Sequence, residues 1–240
     1  MKGNTECMKR KLEHLEYNQI WHYIVPVINY CSPRKYLSIQ RYENNDEFKF
    51  LWKSKSNHNC TIITLGIGKD VKAETRMKLD MPDCQFIGAD PVEFVNRQLY
   101  EDIGEYHKIA VGSTNGNEDA LIYRGEDKYR HETVEYMDLP SFLRTKVDRK
   151  VIDMIMIDVE YIEYDLFMYF FHNSQIDREG IVICQVNIEV HQSITDNHKK
   201  LLAEFVNKLL KDEVYHFVEA DNFYDNKRLF FVRTDDQLCK

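Results

Sequence analysis

Gly66 and Gly68 close the short β-rich run Thr61-Ile62-Ile63-Thr64-Leu65, and Asp90 closes a second such run, Phe86-Ile87-Gly88-Ala89. Glycines at the end of a strand let backbone amides approach a ligand closely. An acid at the tip of the next strand, roughly 20 residues on, accepts hydrogen bonds from both ribose hydroxyls. The chemistry indicated is the binding of a nucleoside-containing cofactor. Farther along, Asp158 and Glu160 leave the apolar run Val151–Ile157, and Glu189 and His191 leave Gly180–Ile188. In each pair the spacing of two puts both side chains on one face, provided the chain stays extended. Two carboxylates in one mouth can position an amine or hydroxyl, hold a divalent cation, or share acid–base work. A neutral histidine beside them can take a proton from a hydroxyl near working pH. Asp158, Glu160 and Glu189 offer oxygen ligands, but their spacing assigns no metal. Arg124, Arg130 and His131 are further candidates for contact with an acceptor.

Plainer alternatives stand beside each of these. The glycines fit an ordinary strand-to-helix turn. Asp90 before Pro91 fits a helix N-cap, and Glu160 a helix-start acid. Arg124, Arg130 and His131 fit solvated loop charges. The glycines and Asp90 together, at the right interval, favour the ligand reading.

The elements that must carry these residues alternate. Strands are expected at Cys60–Leu65, Gln85–Ala89, Tyr106–Val111, Val151–Asp158 and Gly180–Ile188, with helices at Val71–Leu79, Val92–Tyr100, Leu139–Val147, Tyr164–His172 and Ile194–Leu210. Glu118–Tyr123 and His131–Tyr136 alternate polar and apolar residues as a hairpin would. Val151–Asp158 is the most hydrophobic strand and is expected at the centre. The last two strands, Val214–Ala220 and Leu229–Thr234, are joined by Asp221–Lys227, too short for a parallel crossover, so they must be antiparallel. Before the first strand, Leu12, Leu15, Ile20, Ile24 and Ile28 recur at helical spacing over residues 7–31, with a break or kink expected at Pro26. Residues 32–59 read as a polar connector with aromatic islands and one short helix.

A chain of 240 residues accommodates one α/β domain, residues 60–240, and an N-terminal helical extension and connector, residues 1–59. The net charge of −8 argues against a nucleic-acid partner. Cys7, Cys31, Cys60, Cys84, Cys184 and Cys239 form no CxxC pair and no zinc spacing, so they are expected as reduced, structural thiols. The first residues lack the apolar core of a signal peptide, and no run reaches the roughly 18 apolar residues of a membrane span. The expectation is a cytoplasmic protein with no membrane span, acting on a small-molecule acceptor. Oligomeric state is not legible. Val71 stands where a dinucleotide fingerprint needs its third glycine, and no P-loop occurs, which disfavours a nicotinamide-dependent oxidoreductase.

Several segments, in order, resemble one family. They are Leu65-Gly66-Ile67-Gly68, Ala89-Asp90-Pro91, Ile109-Ala110-Val111-Gly112, Val134-Glu135-Tyr136-Met137-Asp138-Leu139-Pro140-Ser141-Phe142-Leu143, Ile155-Met156-Ile157-Asp158-Val159-Glu160 and Ile188-Glu189-Val190-His191. Together they cover about residues 60–192 and are similar to FkbM-type methyltransferases, which use S-adenosylmethionine and mostly methylate oxygen. The Asp-Val-Glu element is the most distinctive. The resemblance implies a Rossmann-like class I methyltransferase fold, an α/β architecture with a mostly parallel seven-stranded sheet and a C-terminal antiparallel hairpin. It also implies roles. Gly66 and Gly68 would lie under the methionine part of the cofactor, Asp90 would hold the ribose, and Ala110 and Val111 would flank the adenine. Asp158, Glu160 and His191 would handle the acceptor, a small-molecule or sugar-like hydroxyl. Met156 and Tyr161 stand where the family has lysine and glycine. They motivate the alternative of a catalytically inactive methyltransferase fold that serves as a binding or scaffolding module.

Overall fold

The computed structural model describes residues 2–45, 47–53, 60–123 and 129–239. Helices α1 (Lys2–Leu12) and α2 (Tyr17–Cys31) open the chain, followed by strands β1 (Ile39–Glu43) and β2 (Phe48–Trp52). The alternating part begins with β3 (Thr61–Leu65), α3 (Lys72–Asp80), β4 (Gln85–Ala89), α4 (Glu93–Glu101) and β5 (Glu105–His107). Next come β6 (Ala110–Gly112), β7 (Gly116–Tyr123), β8 (Tyr129–Asp138) and α5 (Leu139–Phe142). The chain continues through β9 (Val151–Ile152), β10 (Met154–Ile157), α6 (Glu163–Leu166), α7 (Gln175–Arg178), β11 (Val182–Ile183) and β12 (Gln185–Val190). It ends with α8 (Asp196–Asp212), β13 (Tyr215–Phe223) and β14 (Asn226–Arg233).

Seven strands form the main sheet in the order β13-β14-β12-β10-β3-β4-β5. From β12 to β5 the neighbours are parallel, and β14 runs antiparallel to both β12 and β13. The all-buried β10 lies at the centre, as its unbroken hydrophobicity predicts. Strand order reverses between β3 and β10, and in such sheets ligand sites form beyond the carboxyl ends at that switch point. Leu65 and Ile157 are register partners there. Gly66 and Asp158 therefore leave the sheet side by side.

Four local expectations are corrected. The third strand is not one piece: β5 belongs to the main sheet, and β6 crosses into a second sheet with β7 and β8. Residues 7–31 are spanned by two helices rather than one broken at Pro26. Pro26 lies inside α2, whose Ile20, Ile24 and Ile28 remain on one buried face against α8 and β13. Ile39–Glu43 and Phe48–Trp52 pair as an antiparallel hairpin in place of a plain connector, and the short helix expected in this stretch is a single 3-10 turn at Arg34–Tyr36. Phe48, Phe50 and Trp52 alternate as a strand should, and β2 is held by side chains of β12. Asn187 accepts from the Phe50 N–H at 2.8 Å and donates to the Phe50 carbonyl at 2.9 Å, and Gln185 does the same for Trp52. Finally, the cysteines are not reduced. Cys7–Cys31, Cys60–Cys84 and Cys184–Cys239 are disulfides, which use all six. Wide separation in sequence hid pairs that the fold makes adjacent.

Met8, Leu12, Ile20 and Ile24 belong to the same buried cluster as Ile63, Ile155, Ile188 and Phe231. The two opening helices thus share the core of the sheet. The junction expected between residues 59 and 60 borders residues 54–59, which lie outside the described ones. Among the described residues no helix is long and apolar enough to cross a membrane.

Candidate functional site

The glycine turn is fixed by its neighbours. Gly66 has φ +79°, and a Cβ there would come within 1.7 Å of the Asp158 carbonyl oxygen. No other residue fits. Its N–H donates to the Ala89 carbonyl at 2.9 Å, while the Asp158 N–H donates to the Leu65 carbonyl at 2.8 Å. Gly68 has φ +63° and open space where a Cβ would stand. Asp90, buried at the end of β4, accepts from the Ile67 N–H at 2.8 Å through one oxygen and from the Val92 N–H at 2.7 Å through the other. It therefore ties the glycine turn to the residue that precedes α4, but it does not take the plainer N-cap role: Val92 is the N-cap, and among the described residues no side chain caps that helix. A carboxylate has about four acceptor positions, so two stay available to hydroxyls. An uncovered Gly68 and this spare capacity of Asp90 fit the nucleoside-methionine group the motifs imply. Ala110 and Val111 lie in β6 of the second sheet, with Val111 buried and Gly112 packed against Ile162.

His191 gathers the acids on the other side of Gly66. Its Nε2 lies 3.3 Å from Glu160 and 3.7 Å from Asp158, and its Nδ1 is hydrogen-bonded to Glu163 at 3.0 Å. The chain does not stay extended beyond Asp158. Glu160 and Tyr161 are left-handed, with φ +50° and +76°. Such geometry costs a non-glycine residue about 1–3 kcal/mol and is concentrated at functional sites. It leaves the Glu160 side chain 79% exposed and lays the Tyr161 ring 5.2 Å from the His191 ring. Tyr164 anchors the histidine from behind, its hydroxyl donating to the His191 carbonyl at 2.6 Å.

Electrostatics at this mouth are unusual. Burial, reinforced by Glu189 and Glu47 and opposed by Lys49, raises Asp158 to about 7. For His191 burial works against the charge, but the hydrogen bond to Glu163 and the nearby carboxylates outweigh it and lift the imidazole to about 9. Lys49 is buried on β2 and pairs with Glu47 at 2.6 Å. Burial disfavours its charge, yet Glu47, Asp158 and Glu74 hold its pKa above the ordinary value. Glu74 is raised to about 7 by burial.

The predicted residues fall into two groups. Gly66, Gly68 and Asp90 converge, and Asp158, Glu160 and His191 converge beside them. Glu189 does not join His191: Arg228 at 2.5 Å and Asn226 at 2.5 Å take its two oxygens. Arg130 and His131 are exposed on β8, and Arg124 lies outside the described residues. Three participants were missed. Lys49 and Glu47 stand in a stretch whose polar composition masks the hairpin that positions them. Glu163 sits five residues beyond Asp158, where a helix-start acid is ordinary, and only the fold turns it onto His191.

Residues 7–217 match the methyltransferase FkbM domain. A Caenorhabditis elegans protein described as "Uncharacterized protein C28H8.7" is 28% identical over 100 residues, 42% of this chain. The match spans only 34% of the length of that curated relative. Among solved structures, a putative caffeoyl-CoA O-methyltransferase from Staphylococcus aureus is similar with a TM-score of 0.40 and 12% identity, over 72% of this chain and 76% of that one. A likeness at that level carries no functional weight.

Proposed function

The chain belongs to the FkbM methyltransferase family, and on that premise we propose that it is an S-adenosylmethionine-dependent enzyme that methylates a hydroxyl of a small-molecule or sugar-like acceptor. The observation that carries this reading is the contact between the Gly66 turn and the Asp158 backbone. It joins the proposed donor residues and the proposed acceptor residues in one mouth. The bound donor supplies an activated methyl group, and the protein has to align the acceptor and exclude water. Gly66, Gly68 and Asp90 hold the donor, with Ala110 and Val111 beside its base. Asp158, with a pKa near 7, takes the proton of the hydroxyl, and His191, held in its charged form by Glu163 at Nδ1 rather than neutral as the sequence suggests, orients that hydroxyl. Glu160, exposed at the rim, meets the acceptor as it enters.

Transfer of labelled methyl from S-adenosylmethionine to fractions of hydroxyl-bearing metabolites tests this. The wild type labels at least one fraction, and Asp158→Asn lowers the rate by about 100-fold or more. Labelling of none by well-folded protein would contradict the reading. It would favour instead a binding module that has lost transfer, for which the strained Tyr161 at the family's glycine position is the motive.

The three disulfides favour an oxidising compartment over the cytoplasm. Protein purified from its native cells and alkylated without reductant should carry no adduct on any cysteine. Adducts on all six would restore the cytoplasmic placement.

A further inference from the structure

We infer that Asp158, Glu163 and His191 form a binding site for a divalent cation of the Mn²⁺ or Zn²⁺ type. Each offers one donor atom, and the three atoms lie within 4.8 Å of one another. Donors on a single cation stand up to about 4.4 Å apart when bonds are about 2.2 Å, so a shift of a few tenths of an ångström closes the set. Two carboxylates and an imidazole are the ligands such ions prefer, and three protein ligands leave positions open for a substrate oxygen.

A second observation separates this cluster from an ordinary group of acids. Glu163 is 0% exposed. One of its oxygens accepts from the Val159 N–H at 2.9 Å and faces His191 Nδ1. The other is buried with no hydrogen-bond partner. A buried carboxylate oxygen left unpaired is costly, and a cation beside the imidazole would satisfy it. The neighbouring triad Glu47, Asp158 and Glu189 also has ligand spacing, but cations of the chain already serve it. Lys49 pairs with Glu47 and Arg228 with Glu189. Around Glu163, by contrast, the only basic group in contact is His191 itself among the described residues. In the proposed transfer reaction, a cation here would coordinate the acceptor hydroxyl and lower its pKa. The binding itself does not depend on that reaction.

Direct titration tests it, with neither donor nor acceptor present, so that its failure is distinct from failure of the transfer reading. Chelator-stripped full chain is titrated with Mn²⁺, and free ion is followed by its electron paramagnetic resonance. The expected result is one Mn²⁺ per chain, with affinity weakened at least about tenfold in both Asp158→Asn and Glu163→Gln and retained in Glu47→Gln. Circular dichroism verifies folding, and if Glu163→Gln does not fold, Asp158→Asn and His191→Asn decide. Undiminished free Mn²⁺ in the presence of wild type, wild-type affinity in the folded variants, or loss in Glu47→Gln with retention in Glu163→Gln would overturn the proposal.

Discussion

Gly66 shows how tightly one residue constrains the mouth. Its left-handed φ and the 1.7 Å approach to the Asp158 carbonyl leave no place for a methyl group. Gly66→Ala should therefore cost about 3 kcal/mol or more in urea unfolding, above ordinary overpacking because strain and clash combine. A midpoint unchanged from the wild type would refute the contact. The importance of Gly66 was legible from a strand followed by glycines, though its physical partner was not. Asp158, Glu160 and His191 were legible as types at strand ends. The reason they meet was not, because the sequence pattern assumed an extended chain beyond Asp158, whereas residues 160 and 161 turn left-handed. Glu163 gave no signal, since its significance lies in what the turn brings to it.

At the scale of elements, the β1–β2 hairpin is the addition that sequence periodicity undervalued. Five-residue strands in a polar stretch give weak alternation, and the hairpin's partner strand lies far along the chain. The side-chain amides of Gln185 and Asn187 act as a ladder for β2 on the edge away from its backbone partner β1. Asn187→Leu would leave the Phe50 N–H and carbonyl without their partner and should cost about 2–3 kcal/mol. Hydrogen exchange at the Phe50 amide should rise sharply in that variant, and unchanged protection would contradict the docking described. Since Lys49 adjoins Phe50, loosening β2 also loosens the cation that opposes the raised pKa of Asp158. By contrast, β3, β4, β10 and β12 were readable because buried parallel strands are continuous apolar runs. β5 and β6 were not separable, because only Lys108 and Ile109 lie between them and neither is a turn residue that marks a strand's end.

For the whole molecule, the terminal antiparallel pair and the central β10 were deducible from linker length and hydrophobicity, and the seven-stranded sheet that the family resemblance implies is the one observed. The disulfides were not, since pairing depends on positions that only the fold brings together. Cys7–Cys31 joins α1 to α2, Cys60–Cys84 joins the starts of β3 and β4, and Cys184–Cys239 ties the chain's end to β12. The sheet, so fastened, presents the Gly66 turn, Asp90 and the His191 cluster beyond the carboxyl ends of its interior strands, and the proposed donor site is what gives that arrangement a purpose. Calorimetric titration with S-adenosylmethionine and S-adenosylhomocysteine, with Asp90→Ala run beside the wild type, tests it most directly. Micromolar binding by the wild type, about 8 kcal/mol, that is lost in Asp90→Ala is the predicted result. Failure of well-folded wild type to bind either ligand, or equal binding by Asp90→Ala, would contradict it.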